Sequence, residues 1–270
     1  MQKNNLSFSV VIPAYNSAKI IKNAISSCLQ QTFLPKEIIV IDDCSIDNTV
    51  EIIKQFNSPL IKLLVNSSNR GPSYSRNLGI KNSNSSWILF LDADDIFHKK
   101  KIETLNQLIL SDLSISAIGH NTKVGLTLNQ LNDNYISKIP NFKKYTSFML
   151  LLKNRIVTPA LAISSDNGIL FNEKMIYAED HDFILRTATN FNLVYFDLPL
   201  CSINRLPLSS GGLSSNFMKM RIGEMKMYFD YCRKNRLYYL SPFFLIFSIL
   251  KHIKFLLLYF LTKRFNNRLF

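Results

Sequence analysis

Four apolar runs of strand length, Phe8–Ile12, Glu37–Ile41, Leu60–Val65 and Trp87–Leu91, alternate with stretches of helical periodicity, and this alternation constrains the fold more than any other feature. Ile20, Ile21, Ala24, Ile25, Cys28 and Leu29 recur at helical spacing after the first run, and Val50, Ile52, Ile53 and Phe56 do so after the second. After the third, Gly71-Pro72 opens a helix, because the N–H that proline lacks has no partner in a first turn. Strands that are apolar along their whole length, separated by amphipathic helices, predict an α/β fold with a mainly parallel sheet covered on both faces. In such sheets ligands bind beyond the carboxyl ends of the strands.

Polar residues collect at those ends. Ala14-Tyr15-Asn16 closes the first run, Asp42-Asp43 the second and Asp92-Ala93-Asp94-Asp95 the fourth, with Arg70 and Arg76 on the segment between. Acids crowded together without partners raise one another's pKa values, so a cation is expected among them. Oxygen donors suit a hard divalent ion, Mg²⁺ or Mn²⁺. Asp92-x-Asp94 is a weak pattern by itself, but here it ends an apolar strand, where alternate residues point the same way.

The blocks Val11-Ile12-Pro13-Ala14-Tyr15-Asn16, Ile39-Val40-Ile41-Asp42-Asp43-Cys44-Ser45-Ile46-Asp47-Asn48-Thr49, Asn69-Arg70-Gly71-Pro72-Ser73-Tyr74-Ser75-Arg76-Asn77 and Leu91-Asp92-Ala93-Asp94-Asp95 stand in that order. Together they resemble the inverting GT-A glycosyltransferases of family 2, over about residues 8–210. The resemblance implies a Rossmann-like mixed sheet, a nucleotide-diphosphate sugar donor (expected to be a UDP-sugar), a divalent metal and transfer to an acceptor hydroxyl of a growing surface glycan. Matched by position, Pro13, Ala14, Tyr15 and Asn16 fall on the first nucleotide-contacting loop and Asp43 on the acid facing the donor base. Arg76 matches a basic residue near the nucleotide, Asp92 and Ala93 the stretch facing ribose and metal, and Asp94 the direct metal ligand. Glu179-Asp180 resembles the pair whose Asp is the general base; carboxylates at a helix start are stabilised by the dipole and by free N–H groups. Glu179 and Arg205, the latter followed by Ser209-Ser210-Gly211-Gly212, match acceptor or diphosphate loops. His181 stands where the family commonly carries an aromatic residue, which implies an acceptor side of different shape.

Plainer roles stand beside these. Tyr15 could pack at the sheet edge, Asp180 could serve as a first-turn acid, and the Arg205 region could be an ordinary surface loop. Arg70 reads as a solvated loop charge and Lys99-Lys100-Lys101 as a solvated helix face. His98, His120 and His252 lack metal-ligand spacing and are expected to be packed or solvated. Cys28, Cys44, Cys201 and Cys232 are widely spaced without C-x-x-C, which excludes a disulfide scaffold and predicts reduced thiols.

The chain carries 32 Lys and Arg against 19 Asp and Glu, a formal charge of +13, and 47% of it is hydrophobic, which excludes a disordered tail. Residues 1–216 hold 21 basic against 17 acidic residues, whereas residues 217–270 hold 11 against Glu224 and Asp230 alone. A transferase domain over 1–215 and a basic, hydrophobic helical extension over 216–270 are therefore expected. The extension mixes Phe, Leu, Ile and Tyr with Lys251, Lys254, Lys263, Arg264 and Arg268. That composition suits helices lying on an anionic membrane surface with lysines snorkelling to the headgroups. Nucleic acid is not expected, since its binding needs no such run of aliphatic residues. The alternative is packing on the transferase domain or on a second subunit in an oligomer. Leu237–Leu250 stops at Lys251 and contains Pro242, so no full membrane span is expected. Met1–Ser7 leads into Phe8–Pro13, too short for a secretory signal, which predicts the cytoplasmic face of the cell membrane. Two other functions remain in view. A sugar nucleotidyltransferase would want a Gly-rich phosphate loop after the first strand. A non-catalytic sugar-nucleotide-binding scaffold sits poorly with intact Asp43, Asp92, Asp94 and Asp180.

Overall fold

The computed structural model describes residues 6–132, 140–204, 216–251 and 253. It divides into two compact units, one of Met1–Lys174 with Asp180–Leu206, the other of Met175–Glu179 with Pro207–Phe270.

The described residues of the first unit form one sheet from β1 (Phe8–Ala14), β2 (Glu37–Asp42), β3 (Ile61–Val65), β4 (Trp87–Phe90), β5 (Ile96–Phe97), β6 (Ala117–Val124), β7 (Lys143–Lys144), β8 (Leu161–Ser164) and β9 (Leu193–Ile203). The helices are α1 (Ile21–Leu29), α2 (Thr49–Lys54), α3 (Pro72–Lys81), α4 (Lys101–Ser111), α5 (Leu128–Asn132), α6 (Ser147–Leu152) and α7 (Glu179–Asn190). The spatial order is β3-β2-β1-β4-β8-β6-β9-β5, with β7 beside β9.

The first four strands are parallel, as their unbroken apolar character predicts, and β1 lies centrally, with Val10 opposite Ile38 of β2 and Leu89 of β4. Val10, Val11, Ile12, Ile39, Val40 and Leu89 are wholly buried. On the far side of β4 the sheet becomes mixed: β8 runs antiparallel to both β4 and β6, and β6 parallel to β9. The chain leaves β1 towards β2 and β3, then returns to the other flank as β4. A crevice is thus set between the carboxyl ends of β1 and β4, where open α/β sheets bind ligands.

Two glycines permit close approaches. A Cβ at Gly79 of α3 would meet Val11 Cγ1 at 2.3 Å, and one at Gly119 of β6 would meet Ile156 Cδ1 at 2.3 Å. α3 therefore lies hard on β1, and the loop holding Ile156 lies hard on β6.

Lys99 is exposed but Lys101 is wholly buried, which corrects the expectation of a solvated lysine face. Lys101, Leu105 and Leu108 share one stripe of α4, so helical phase turns the lysine inward. Its ammonium donates to the Pro159 carbonyl and lies 3.7 Å from the Phe97 ring centre. Burial pushes it down to about 8, against the opposing pull of Cys201, Cys28 and Asp95. His98 and His120 are buried; burial holds His120 well below its ordinary value. His252 lies outside the described residues. All four cysteines are free thiols, three of them buried.

In the second unit α8 (Phe217–Lys234) begins where the basic helix was expected, with the Asn216 side chain accepting from the Lys219 N–H at 3.1 Å. A 3-10 turn, Tyr238–Leu240, leads into helical residues 241–251. The two helices are joined by one carboxylate. Glu224 accepts from Arg221, from Ser248 at 2.6 Å, from Tyr228 at 3.1 Å and from Lys251 at 3.2 Å. Burial pushes this carboxyl up, but the Ser248 hydrogen bond and the Lys251 and Arg221 charges outweigh it and hold it low. Lys251 is thus an internal partner of Glu224, which corrects the expectation that it snorkels to headgroups. No helix among the described residues is long and apolar enough to cross a membrane.

Candidate active site

The rim beyond β1 and β2 is built by side chains that bind loops to one another. Asp43, 4% exposed, follows β2, and its own N–H is fixed on the Ala14 carbonyl at 2.8 Å. Its carboxylate accepts from Asn66 Nδ2 at 2.7 Å, from the Arg70 N–H at 3.0 and 3.1 Å and from the Gly71 N–H at 2.7 Å. One acid therefore gathers the end of β2 and the whole β3–α3 connection. Asp42 is also buried and accepts from the Ser45 N–H at 3.0 Å.

The loop after β1 is tied to the loop after β2 by reciprocal bonds. The Asn16 N–H donates to Ser45 Oγ at 2.9 Å, and Asn16 Oδ1 accepts from the Ile46 N–H at 2.9 Å. The Ser17 N–H donates to Thr49 Oγ1 at 2.8 Å, and the Ala18 N–H to Asp47 at 3.1 Å. Asn16 and Cys44 take left-handed backbone angles, φ 48° and 63°. Asparagine tolerates this region; a cysteine there costs about 1–3 kcal/mol, sustained by the surrounding bonds. Tyr15 is 48% exposed, so it does not pack at the sheet edge. Pro13 and Ala14 end β1 below it. Arg70 is exposed, its guanidinium 3.5 Å from the Tyr74 ring centre.

Beyond β4 the acids divide in role. Asp92 Oδ1 accepts from the buried Arg76 guanidinium at 2.7 Å, so Arg76 holds Asp92 across the crevice from α3. Asp95 is buried and accepts from the Asn204 N–H at 2.8 Å, joining the turn to the end of β9. Asp94 and Asp92 remain half-buried on either side of Ala93. Two half-buried carboxylates two residues apart fit a divalent cation in donor chemistry. Among the described residues no group of three His, Cys, Asp or Glu converges on a point, so such an ion would complete its shell from a bound ligand and water.

α7 carries the next acids singled out. Ala178 precedes it at φ 59°, a left-handed angle that an alanine adopts only under constraint. Asp180 is half-buried and its Oδ1 accepts from the His181 N–H at 2.7 Å. Three residues on, Phe183 stacks on Phe171, ring centres 3.9 Å apart, and both meet Phe90 edge-on at 5.9 and 5.4 Å. Phe90 lies two residues before Asp92, and Arg76 lies 5.3 Å from the centre of Phe171. An aromatic cluster thus connects the helix that carries Asp180 to the strand that leads into Asp92 and Asp94. Asn77 completes it, exchanging bonds with the Phe171 backbone at 2.7 and 3.0 Å and donating to Glu173 at 2.8 Å.

The His181 side chain is buried, with Nε2 3.0 Å from the Leu150 carbonyl, a partner only an N–H can satisfy. It fastens α7 to α6. Glu179 is half-buried at the start of α7. Arg205 and Ser209-Ser210-Gly211-Gly212 lie outside the described residues.

Residues 9–167 match the family described as glycosyl transferase family 2, more than half of the chain. The chain belongs to that family. It is 31% identical over 249 residues to the Escherichia coli UDP-Glc:alpha-D-GlcNAc-diphosphoundecaprenol beta-1,3-glucosyltransferase WfgD, covering 90% of this chain and 94% of WfgD. It is 29% identical over 201 residues to the Staphylococcus aureus poly(ribitol-phosphate) beta-N-acetylglucosaminyltransferase TarS, 70% of this chain but only 34% of TarS. Among solved structures, S. aureus TarS 1-349 in complex with UDP-GlcNAc superposes with a TM-score of 0.68 at 23% identity, over 93% of this chain and 73% of that one. The Pyrobaculum calidifontis mannosyltransferase PcManGT, in complex with GDP-Man and Mn²⁺, gives 0.62 at 15% identity over 92% and 74%. These likenesses bear out the expected GT-A fold.

The clamp of Asn66 on Asp43, the Asn77 bonds and the Phe90–Phe171–Phe183 cluster are absent from the residues singled out in the sequence. Asn77 directly follows Arg76 in a matched block and carried a signal. Phe171 carried none.

Proposed function

We propose that the chain is a metal-dependent, inverting glycosyltransferase moving a sugar from a UDP-sugar to a hydroxyl of a phosphate-bearing surface-glycan acceptor. The observation that carries the reading is the junction of α7 with the end of β4 through Phe90, Phe171 and Phe183. It ties the helix that carries Asp180 to the strand that leads into Asp92 and Asp94, which supports a displacement with a base on one side and an anionic leaving group on the other. WfgD, a UDP-Glc transferase to a diphosphoundecaprenol-linked sugar, and TarS, a poly(ribitol-phosphate) transferase solved with UDP-GlcNAc, support the donor and acceptor classes.

In this reading Pro13, Ala14, Tyr15, Asn16 and Asp43 form the nucleotide side, Asp43 by holding the loop that receives the base. Arg76 fixes Asp92. Asp180 takes the proton of the acceptor hydroxyl as that oxygen attacks the anomeric carbon, and the bond to the diphosphate breaks in the same step, inverting the centre. Mg²⁺ or Mn²⁺ at Asp92 and Asp94 would neutralise charge growing on the diphosphate. Incubation with a panel of nucleotide sugars should release nucleoside diphosphate from one of them; EDTA should abolish the release and Mn²⁺ or Mg²⁺ restore it. Full activity after exhaustive chelation would sink the metal assignment, and no release from any nucleotide sugar would sink the enzyme reading.

We also place the protein at the cytoplasmic membrane face. Support comes from the second unit, where Tyr239, Phe243, Ile246, Leu250 and Ile253 are exposed at 74%, 53%, 58%, 56% and 47% along one helical stripe. The surplus of basic residues in this segment matches anionic lipid. The protein should pellet with vesicles containing anionic lipid and not with neutral ones, and F243E/I246E should lose most of that binding. Unchanged pelleting by the double variant refutes the assignment.

A further inference from the structure

The first unit has a second polar concavity, of about 400 Å³, lined by Asn121, Lys153, Asn154, Arg155, Tyr195 and Asp197. Its construction begins in the sheet. β6 and β9 pair in register up to His120 and Phe196, and then the register shifts so that Asn121 pairs with Pro199. Asp197 and Leu198 are extruded as a bulge, a device that re-aims side chains. The Asp197 carboxylate turns back to accept from Asn121 Nδ2 at 2.6 Å.

Opposite stands the loop before β8. Its seat is the close contact of Ile156 with Gly119, and it is pinned by Tyr145, whose hydroxyl donates to the Lys153 carbonyl at 3.0 Å. Asn154 Oδ1 accepts from the Ile156 N–H at 3.0 Å, which closes the turn. Lys153 and Arg155 are left exposed. Tyr195 is buried between, its ring 5.3 Å from that of Tyr145. Two cations, one amide-held carboxylate, a second amide and a phenol are thus presented by a backbone fixed on both sides.

The register gives the distance from the acids described above. Leu89 of β4 and Ile118 of β6 both pair with Ala162, so β6 reaches the level of Asp92 at Asn121. β6 lies two strand positions from β4, and β9 three, which at the usual spacing is about 10–15 Å. The concavity therefore opens on the same rim as Asp92 and Asp94, on the side away from β1 and β2.

We infer that this concavity is an acceptor subsite that holds a phosphate group on Lys153 and Arg155, with Asp197, Asn121 and Asn154 meeting hydroxyls of the sugar or polyol that carries it. The inference rests on the glycosyltransferase reading and assigns it a place where the acceptor is anchored. Charge decides the ligand class: two exposed cations face an acid already engaged by an amide, an arrangement that favours an anion bearing hydroxyls over a neutral glycan.

Binding tests the inference without turnover. With UDP saturating the nucleotide side, a polyol phosphate and a short-chain sugar-diphosphate lipid are titrated separately while the side-chain amide signals of Asn121 and Asn154 are followed by NMR. At least one ligand should shift both amides, and K153A/R155A should weaken that binding at least tenfold. The ligand that binds distinguishes a polymer phosphate from a lipid diphosphate. Amides that shift with neither ligand, or equal binding by the double variant, overturn the subsite whether or not the protein transfers sugar. In the transfer assay, the preference in kcat/KM for a phosphate-bearing acceptor over its phosphate-free counterpart should fall at least tenfold in K153A/R155A. An equal loss on both acceptors overturns the inference and leaves the glycosyltransferase reading standing.

Discussion

Asp180→Asn is expected to lower the rate of sugar transfer by about 10²–10⁴-fold, the range that a positioned general base contributes. The substitution changes one atom. An amide keeps the shape of the carboxylate and can still present an oxygen to the His181 N–H, the bond Asp180 Oδ1 makes at 2.7 Å. The packing behind it is untouched, since Phe183 remains stacked on Phe171 and His181 remains bonded to Leu150. What the amide cannot do is accept a proton from the acceptor hydroxyl. The loss should therefore fall on kcat, while donor affinity by calorimetry and the unfolding midpoint stay close to those of the unaltered protein. An Asp180→Asn protein that transfers at a near-normal rate would remove Asp180 from the chemistry and return it to the role of a first-turn acid.

The parts of this fold legible in the sequence are those set by short-range pattern. β1, β2 and β4 are buried on both faces, so their sequences are unbroken apolar runs, and parallel pairing puts the polar residues that follow them on one rim. β3 reads as a buried strand in its apolar content, yet it is the edge of the sheet and half-exposed. Position in the sheet, which local sequence does not encode, decides that. Lys101 misleads for a related reason: three consecutive lysines suggest solvent, but only the phase of α4 against the sheet determines which of them turns inward. Lys251 and Glu224 are 27 residues apart, so their bond depends on how two helices fold back on each other. Asp180 was legible through likeness to a family and not through its own surroundings. Its connection to β4 runs through Phe183 on Phe90 and is completed by Phe171, a residue in a segment without regular structure whose only distinguishing property is what it touches.

Asp43→Ala should be among the most damaging single changes to folding, although Asp43 was singled out for the donor base. Its carboxylate is the shared acceptor for Asn66 Nδ2 and for the Arg70 and Gly71 N–H groups. Alanine takes the shared acceptor from all three donors, leaving Asn66 Nδ2 only the 3.4 Å bond to Ser75 Oγ, and an unmet buried donor costs about 1–3 kcal/mol. Asn66 is buried and pays most of this; Arg70 is exposed and recovers part of its bond from water. A net loss of about 3–5 kcal/mol follows, a large share of the 5–15 kcal/mol that holds a typical domain together. Asp43→Asn should fall between, because an amide retains one acceptor oxygen but turns an NH₂ towards a donor in either orientation. Urea denaturation should report both losses as lower midpoints at unchanged slope, since the folded and unfolded surfaces are the same. Nucleotide binding should weaken in Asp43→Ala even where the protein is folded, because the Asn66 side chain and the Arg70 and Gly71 N–H groups of the β3–α3 connection lose the carboxylate that holds them to the end of β2. A stability within about 0.5 kcal/mol of the unaltered protein, the scatter of ordinary surface substitutions, would show that the three donors find other acceptors and that the clamp does not hold the rim together.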